Sequence, residues 1–288
     1  MPRVWHISGA NTGIGLCLAL KALSEGDLVL AAVRNPSTVP ATLQVPGVHV
    51  LPYDLSHSQA TISAHAATAF SVFGRVDVLV NNAAYGYFGA IEETEDAHVQ
   101  KQFDVNVFGV LRTIRAFLPG LRAQGSGMIM NISSVGGLKG FPGNAAYCAT
   151  KFALEGLTDA LATEIAAFGL EAVIVEPGYF RTAFLANTTT TVGGEFLAPE
   201  NPAYEGTPAH DARKALGVYN GKQPGNPVEG AARMWEYVAG KGLFEGKERL
   251  LRLPLGTDAG TQMKTLAAEL EKTAAYYEEI WISTDFKE

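Results

Sequence analysis

Short apolar runs rich in β-branched residues recur up to about residue 180, at Val4–Ser8, Leu28–Val33, Val48–Tyr53, Val76–Val80, Met128–Ile132 and Ala172–Val175. Their apolar positions are consecutive rather than alternate, which predicts strands covered on both faces, as in a parallel sheet. Between them apolar residues take helical spacing. Leu16, Leu20 and Leu23 form one stripe, and Leu154, Leu157, Leu161 and Ile165 another. Phe103 to Leu118 reads as a further helix, ended by Pro119-Gly120. This alternation predicts an α/β fold, a doubly wound (Rossmann-type), mostly parallel sheet flanked by helices and joined by right-handed crossovers.

The pattern changes after Phe184. Residues 186–230 hold five prolines, seven glycines and the run Thr188-Thr189-Thr190-Thr191, a stretch too long for an ordinary connection. It is expected to be a loop that serves as a substrate lid over 185–230. A helix follows over Val228–Val238, with Asn226 as its N-cap and Pro227 at the first position. Arg249–Leu253 reads as a last strand, and Thr257–Ile280 as a closing helix with Leu266, Leu270, Ala274 and Tyr277 in line. No repeat or linker divides the chain, so residues 1–288 are expected to form one catalytic domain with the lid inserted in it.

Composition narrows the function. Hydrophobic residues make up 47% and charged residues 18%, enough for a sizeable core, and the formal charge of −7 argues against nucleic-acid or anionic-membrane partners. No apolar run approaches the ~18 residues of a membrane span. Met1-Pro2-Arg3 leads directly into the first strand without a signal-peptide pattern, so a cytoplasmic location is expected. Cys17 and Cys148 make no disulfide framework, and the six histidines show no metal-ligand spacing.

The first strand runs into Ser8-Gly9-Ala10-Asn11-Thr12-Gly13-Ile14-Gly15 and then a helix. Such a turn offers backbone N–H groups and the positive helix end to a pyrophosphate, though glycine turns also serve packing alone. The spacing G-x-x-x-G-x-G differs from the common G-x-G-x-x-G dinucleotide fingerprint. Arg34 ends the second strand where an NAD-preferring fold carries an acid, and a guanidinium suits a 2′-phosphate, so NADP is expected rather than NAD. The alternative is a solvated surface arginine. Asp54, after the third strand, either accepts from an adenine amino group or caps a helix. Tyr147 and Lys151, four apart on a helix, share a face, and a nearby ammonium lowers a phenol's pKa toward one useful for proton transfer. They follow a strand ending Asn131-Ile132-Ser133-Ser134, at the sheet edge where such folds bind ligands.

In this order the residues resemble the short-chain dehydrogenase/reductase family, in its single-domain branch. The matching features span 4–182: the glycine turn, Asp54, Asn81-Asn82-Ala83, Asn106, Ser134, Tyr147-Cys148-Ala149-Thr150-Lys151, and Pro177-Gly178 with Thr182. The resemblance implies catalysis by Asn106, Ser134, Tyr147 and Lys151, with Asn106 helping to hold a proton-relaying water. The family's spacing selects Ser134 over Ser133. It further implies cofactor contacts from Gly9, Asn11, Thr12, Gly13, Ile14 and Gly15, from Asp54 and Leu55, and from Asn82 and Ala83 on the adenosine side. At the nicotinamide end they come from Lys151, Pro177, Gly178 and Thr182, and the family forms dimers or tetramers. Ala84 stands where the family has glycine, and its methyl either crowds the turn or is accommodated by a small shift.

The segments flanking the tetrad supply Tyr85, Tyr87, Phe88, Phe141, Tyr179, Phe180, Phe184, Phe196 and Tyr204, which suits a hydrophobic ketone or secondary alcohol such as a polyketide, terpenoid or alkaloid intermediate. Lys139 and Arg181 would instead favour an acidic substrate. A non-redox enzyme on the same scaffold and a nucleotide-sensing protein are the competing readings.

Overall fold

The computed structural model describes residues 1–185 and 196–286, so the four-threonine run of the expected lid lies outside the described residues. The strands are β1 (Val4–Ser8), β2 (Leu28–Val33), β3 (Val48–Pro52), β4 (Val78–Asn81), β5 (Gly127–Ile132), β6 (Leu170–Pro177) and β7 (Arg252–Leu255). They form one sheet in the order β3-β2-β1-β4-β5-β6-β7, with every pair parallel. The winding direction reverses between β1 and β4, which opens a crevice above the carboxyl ends of these strands.

The consecutive apolar positions are explained by two cores. Trp5 and Ile7 of β1 join one, which packs on α1 (Gly13–Ser24), while Val4 points to the other, which packs on α2 (Gln59–Phe73). In chain order there follow α3 (Asp96–Phe103), a wide π-turn over Asp104–Gly109, α4 (Val110–Gln124) and α5 (Ala145–Ala166). The C-terminal part adds α6 (Pro208–Tyr219), α7 (Pro227–Ala239), α8 (Thr257–Tyr276) and α9 (Glu278–Ile282). Asp27 ties the first core together. Its carboxylate accepts the indole N–H groups of Trp5 and of Trp235 on α7, each at 2.9 Å, and the Arg3 backbone N–H at 2.9 Å.

Four expectations need correction. The helix read as ending at Leu118 continues through Pro119 to Gln124. One missing N–H is outweighed by the continuous burial of Ile114, Phe117 and Leu121, and Gly120 admits the Phe70 ring where a Cβ would lie 2.5 Å from it. The last strand sits later than Arg249–Leu253 because Pro254 is tolerated at the sheet's edge. Part of the expected loop is the helix α6, opened by Thr207, whose hydroxyl accepts the His210 N–H. The closing helix breaks at Tyr277, and its stripe lies mostly in solvent, with Leu270 60% exposed. Among the described residues no helix is long and apolar enough to cross a membrane.

Candidate active site

A cavity of about 710 Å³ runs along the sheet's carboxyl edge, from Arg34 and the glycine turn at one end to Ser134, Tyr147 and Lys151 at the other. Gly9 and Gly13 hold φ of 68° and 56°, which only glycine adopts freely. Gly15 lies behind the wall, where a Cβ would stand 2.5 Å from the Gly9 carbonyl and from the Asn82 amide. Asn82 fastens the turn by donating from Nδ2 to the Ser8 carbonyl at 2.8 Å. Thr12, the N-cap of α1, makes no side-chain bond to the first helical turn, and that turn carries no acid. These open amides and the side-chain-free cradle fit a diphosphate.

Arg34 is exposed at the far end and makes no ion pair among the described residues. Asp54 accepts the Ser56 N–H (2.9 Å) and hydroxyl (2.8 Å), so it braces a turn, while Ser58 caps α2. Burial pushes the Asp54 carboxyl up, but these bonds and the charges of His57 and Arg34 outweigh it and hold the group below its ordinary value. Leu55 closes the wall beside it, packed where a Cβ on Gly109 would collide.

Lys151 is 3% exposed, and its Nζ donates to the Ile132 carbonyl at 2.7 Å while lying 5.7 Å from the centre of the Tyr147 ring. Burial lowers the ammonium to about 8, against the opposing charge of Glu155. The Tyr147 phenol does not show the lowering expected from the lysine. Burial pushes it well up, and hydrogen bonding with Ser134 opposes the rise. The reason is geometric: the ammonium faces a carbonyl and the ring, and desolvation of the phenolate dominates. Ser134 lies against Tyr147, since a Cβ on Gly136 would be 3.4 Å from the tyrosine ring and 3.5 Å from the serine Oγ. Ser133 instead faces Glu155, for a Cβ on Gly137 would meet both its Oγ (2.5 Å) and Glu155 Oε1 (2.7 Å).

A model of the short chain dehydrogenase family matches residues 3–193. The chain belongs to that family. It is 31% identical over 265 residues to the uncharacterized oxidoreductase YusZ of Bacillus subtilis, which covers 88% of this chain and 89% of that one. Mouse 17-beta-hydroxysteroid dehydrogenase type 1 is 37% identical over 209 residues, 67% of this chain and 58% of its own. The crystal structure of a short-chain dehydrogenase from Streptomyces avermitilis shares 34% identity at a TM-score of 0.85, over 99% of this chain and all of that one.

Of the expected catalytic and cofactor-contacting residues of this short-chain dehydrogenase, all but Gly15 and Asn106 line the cavity. Asn106 is buried in the π-turn, its carboxamide accepting the Tyr85 N–H (3.1 Å) and donating to the Tyr85 carbonyl (2.8 Å) and to Thr150 Oγ1 (3.3 Å). Its side chain thus holds the Tyr85 loop against α5. Ala84 needs no correction of the backbone, because among the described residues only glycines take positive φ.

Seven of the nine expected aromatics reach the cavity; Tyr87 instead stacks on His98 at 4.6 Å, and Tyr204 bonds Glu92 at the surface. Phe88 and Phe184 flank Tyr147 at 5.9 and 5.7 Å between ring centres. Lys139 and Arg181 do not line it, and Arg181 is engaged with the Gln223 carbonyl. Two residues escaped the sequence reading. Glu155, four beyond Lys151 on α5, shares Arg252 with Glu176, which is 2.5 Å from Arg252 Nη1. Burial pushes both carboxyls up, Glu176 to about 7. Asp258 on α8 accepts the Tyr179 N–H at 2.6 Å and fills the space beside Gly178, fixing the turn after β6. The acid at Lys151 + 4 was a usable signal for the first; nothing local marked the second.

Proposed function

We propose that this chain is a cytoplasmic NADP(H)-dependent oxidoreductase that interconverts a ketone and a secondary alcohol on a hydrophobic, aromatic or polycyclic substrate. The observation that carries this reading is the joining of Ser134, Tyr147 and Lys151 to the glycine turn and Arg34 by one continuous cavity. A bound nicotinamide would supply or accept the hydride. Tyr147 donates its hydroxyl proton to the carbonyl oxygen in reduction and takes it back in oxidation. Ser134 donates a hydrogen bond to the same oxygen as charge develops there. Lys151, buried beside the tyrosine ring, keeps positive charge next to the phenol as it ionises. Pro177, Gly178 and Thr182 wall the nicotinamide end, and Asp54, Leu55, Asn82 and Ala83 the adenosine side.

The substrate class rests on the aromatic wall and on the absence of Lys139 and Arg181 from it. The hydroxysteroid relative, whose substrate is large and apolar by its name, supports the same class. The 185–230 insertion acts as the lid, and its described part reaches the site: Phe88 N–H bonds the Phe196 carbonyl at 3.0 Å, and Leu216 and Gln223 line the cavity. Exposed Phe108 and Phe152 on neighbouring helices suit pairing with a second copy.

NADPH absorbance with a panel of apolar ketones tests the reading. Tyr147→Phe is expected to lower turnover roughly 10²- to 10⁴-fold while NADPH still binds. Unchanged turnover in that variant, or turnover of small sugars and no apolar ketones by the wild type, would overturn it.

A further inference from the structure

Gln223 is among the residues that line the cavity, and its buried carboxamide is an anomaly. The residue is 1% exposed, yet neither its Nε2 nor its Oε1 has a hydrogen-bond partner among the described residues. Buried side-chain amides in folded proteins are nearly always bonded, so a donor and an acceptor buried side by side without partners, next to a cavity, call for one.

The backbone around it is fixed. The Arg181 guanidinium holds the Gln223 carbonyl through Nε (3.3 Å) and Nη2 (3.0 Å). The Arg181 N–H bonds the Gly225 carbonyl, and the Gly225 N–H bonds the Tyr179 carbonyl, both at 2.9 Å. A Cβ on Gly225 would stand 2.8 Å from the Tyr179 carbonyl, so the two strands of chain lie as close as glycine allows. Gln223 is therefore locked to the turn that follows β6, the turn carrying Gly178 and Thr182, and lies away from Arg34. It shares the cavity with Tyr179, Phe184, Phe196 and Leu216, none of which offers a charge.

We propose that Gln223 binds a second oxygen function on the substrate, a hydroxyl remote from the reacting carbonyl, which accepts from Nε2 and donates to Oε1 at once. The substrate class is then a hydroxyketone, or the matching diol, with an apolar body. This rests on the carbonyl–alcohol reading above. A hydroxyl satisfies both open atoms, whereas an ether or a second ketone leaves Oε1 unpaired.

The test uses 4-(4-hydroxyphenyl)butan-2-one and its homologues with one to four methylenes, each paired with the compound lacking the phenolic hydroxyl. With wild-type protein and NADPH, at least one pair is expected to show kcat/KM favouring the hydroxylated member roughly 10- to 100-fold. Gln223→Leu, close in size, should erase that preference mainly through KM, leave NADPH affinity unchanged, and fold at least as stably in the absence of ligand because the open amide is gone. A Gln223 that merely shapes the wall would give equal losses on both members of a pair, which overturns the proposal. So does turnover without discrimination at every length. Weakened NADPH binding in Gln223→Leu overturns it too, since the partner is then the cofactor's own carboxamide. If the wild type reduces no ketone in the series, the carbonyl–alcohol reading itself fails, and this proposal with it.

Discussion

Replacing Asp27 with alanine removes the one acceptor shared by Trp5, Trp235 and the Arg3 N–H. Both indole N–H groups sit in the first core, Trp5 at 0% and Trp235 at 4% exposure, where water does not replace the carboxylate. Each unpaired buried donor costs about 1–3 kcal/mol. Part of that is offset because the 6%-exposed carboxylate no longer has to be desolvated, leaving an expected loss of about 3 kcal/mol. With an unfolding entropy of roughly 2.1 cal/mol/K per residue over 288 residues, this lowers Tm by about 5 °C. Urea unfolding followed by tryptophan fluorescence reads the free energy, and differential scanning calorimetry reads Tm. Asp27→Asn, which keeps one acceptor, should fall between the two proteins. The cavity is built from other elements, so turnover at 25 °C should stay within about twofold. A loss below about 0.5 kcal/mol, or Asp27→Asn matching the alanine variant, would refute the idea that this carboxylate fastens α7 to the sheet.

Three further outcomes follow from the site and its surroundings. In Glu155→Gln, Lys151 loses the charge that opposes its desolvation, so its ammonium titrates lower; the fall of ketone-reduction rate with rising pH should begin at lower pH than in the wild type, and superimposable pH profiles would exclude the coupling. Arg34→Leu should weaken NADPH binding roughly tenfold and NADH binding by less than about twofold, measured by nucleotide fluorescence titration, and equal losses would remove Arg34 from the 2′-phosphate. His6 and His65 meet Nε2 to Nε2 at 2.8 Å, and burial holds both imidazoles low, His65 at about 4. The unfolded chain therefore binds more protons below its ordinary value near 6.5, and stability falls as pH drops from there toward 4. The urea midpoint should decline less steeply over that window in His65→Gln, and an unchanged slope would refute the assignment.

The parts of the fold that were legible are those set by local pattern. Strands β1, β2, β4, β5 and β6 are buried on both faces and so announce themselves as apolar runs, and Asn226-Pro227 marked the start of α7 within one residue. What escaped depends on tertiary context. Pro119 reads as a stop until the core that overrides it is known, and Pro254 reads as one until β7 proves to be an edge. The stripe on α8 has helical spacing but lies mostly in solvent. At the site, the glycine turn and the Tyr147–Lys151 spacing are local and were readable. Glu155 stood one turn from Lys151 and could have been suspected, but its partners Ser133, Glu176 and Arg252 come from distant parts of the chain. The π-turn that buries the Asn106 side chain leaves no mark in residue type.

That π-turn bears on how sequences of this kind should be aligned. A helix that widens for one turn holds a residue more than a regular helix of the same length. Deleting a single position within 104–109 would restore ordinary winding and leave the helix on either side close to its present phase. Gln102 would then still accept the Tyr87 N–H, whereas the widened turn that holds Asn106 against Tyr85 and Thr150 would be gone. A one-residue gap in this helix, which reads as trivial on paper, therefore separates chains that keep this brace from chains that lose it.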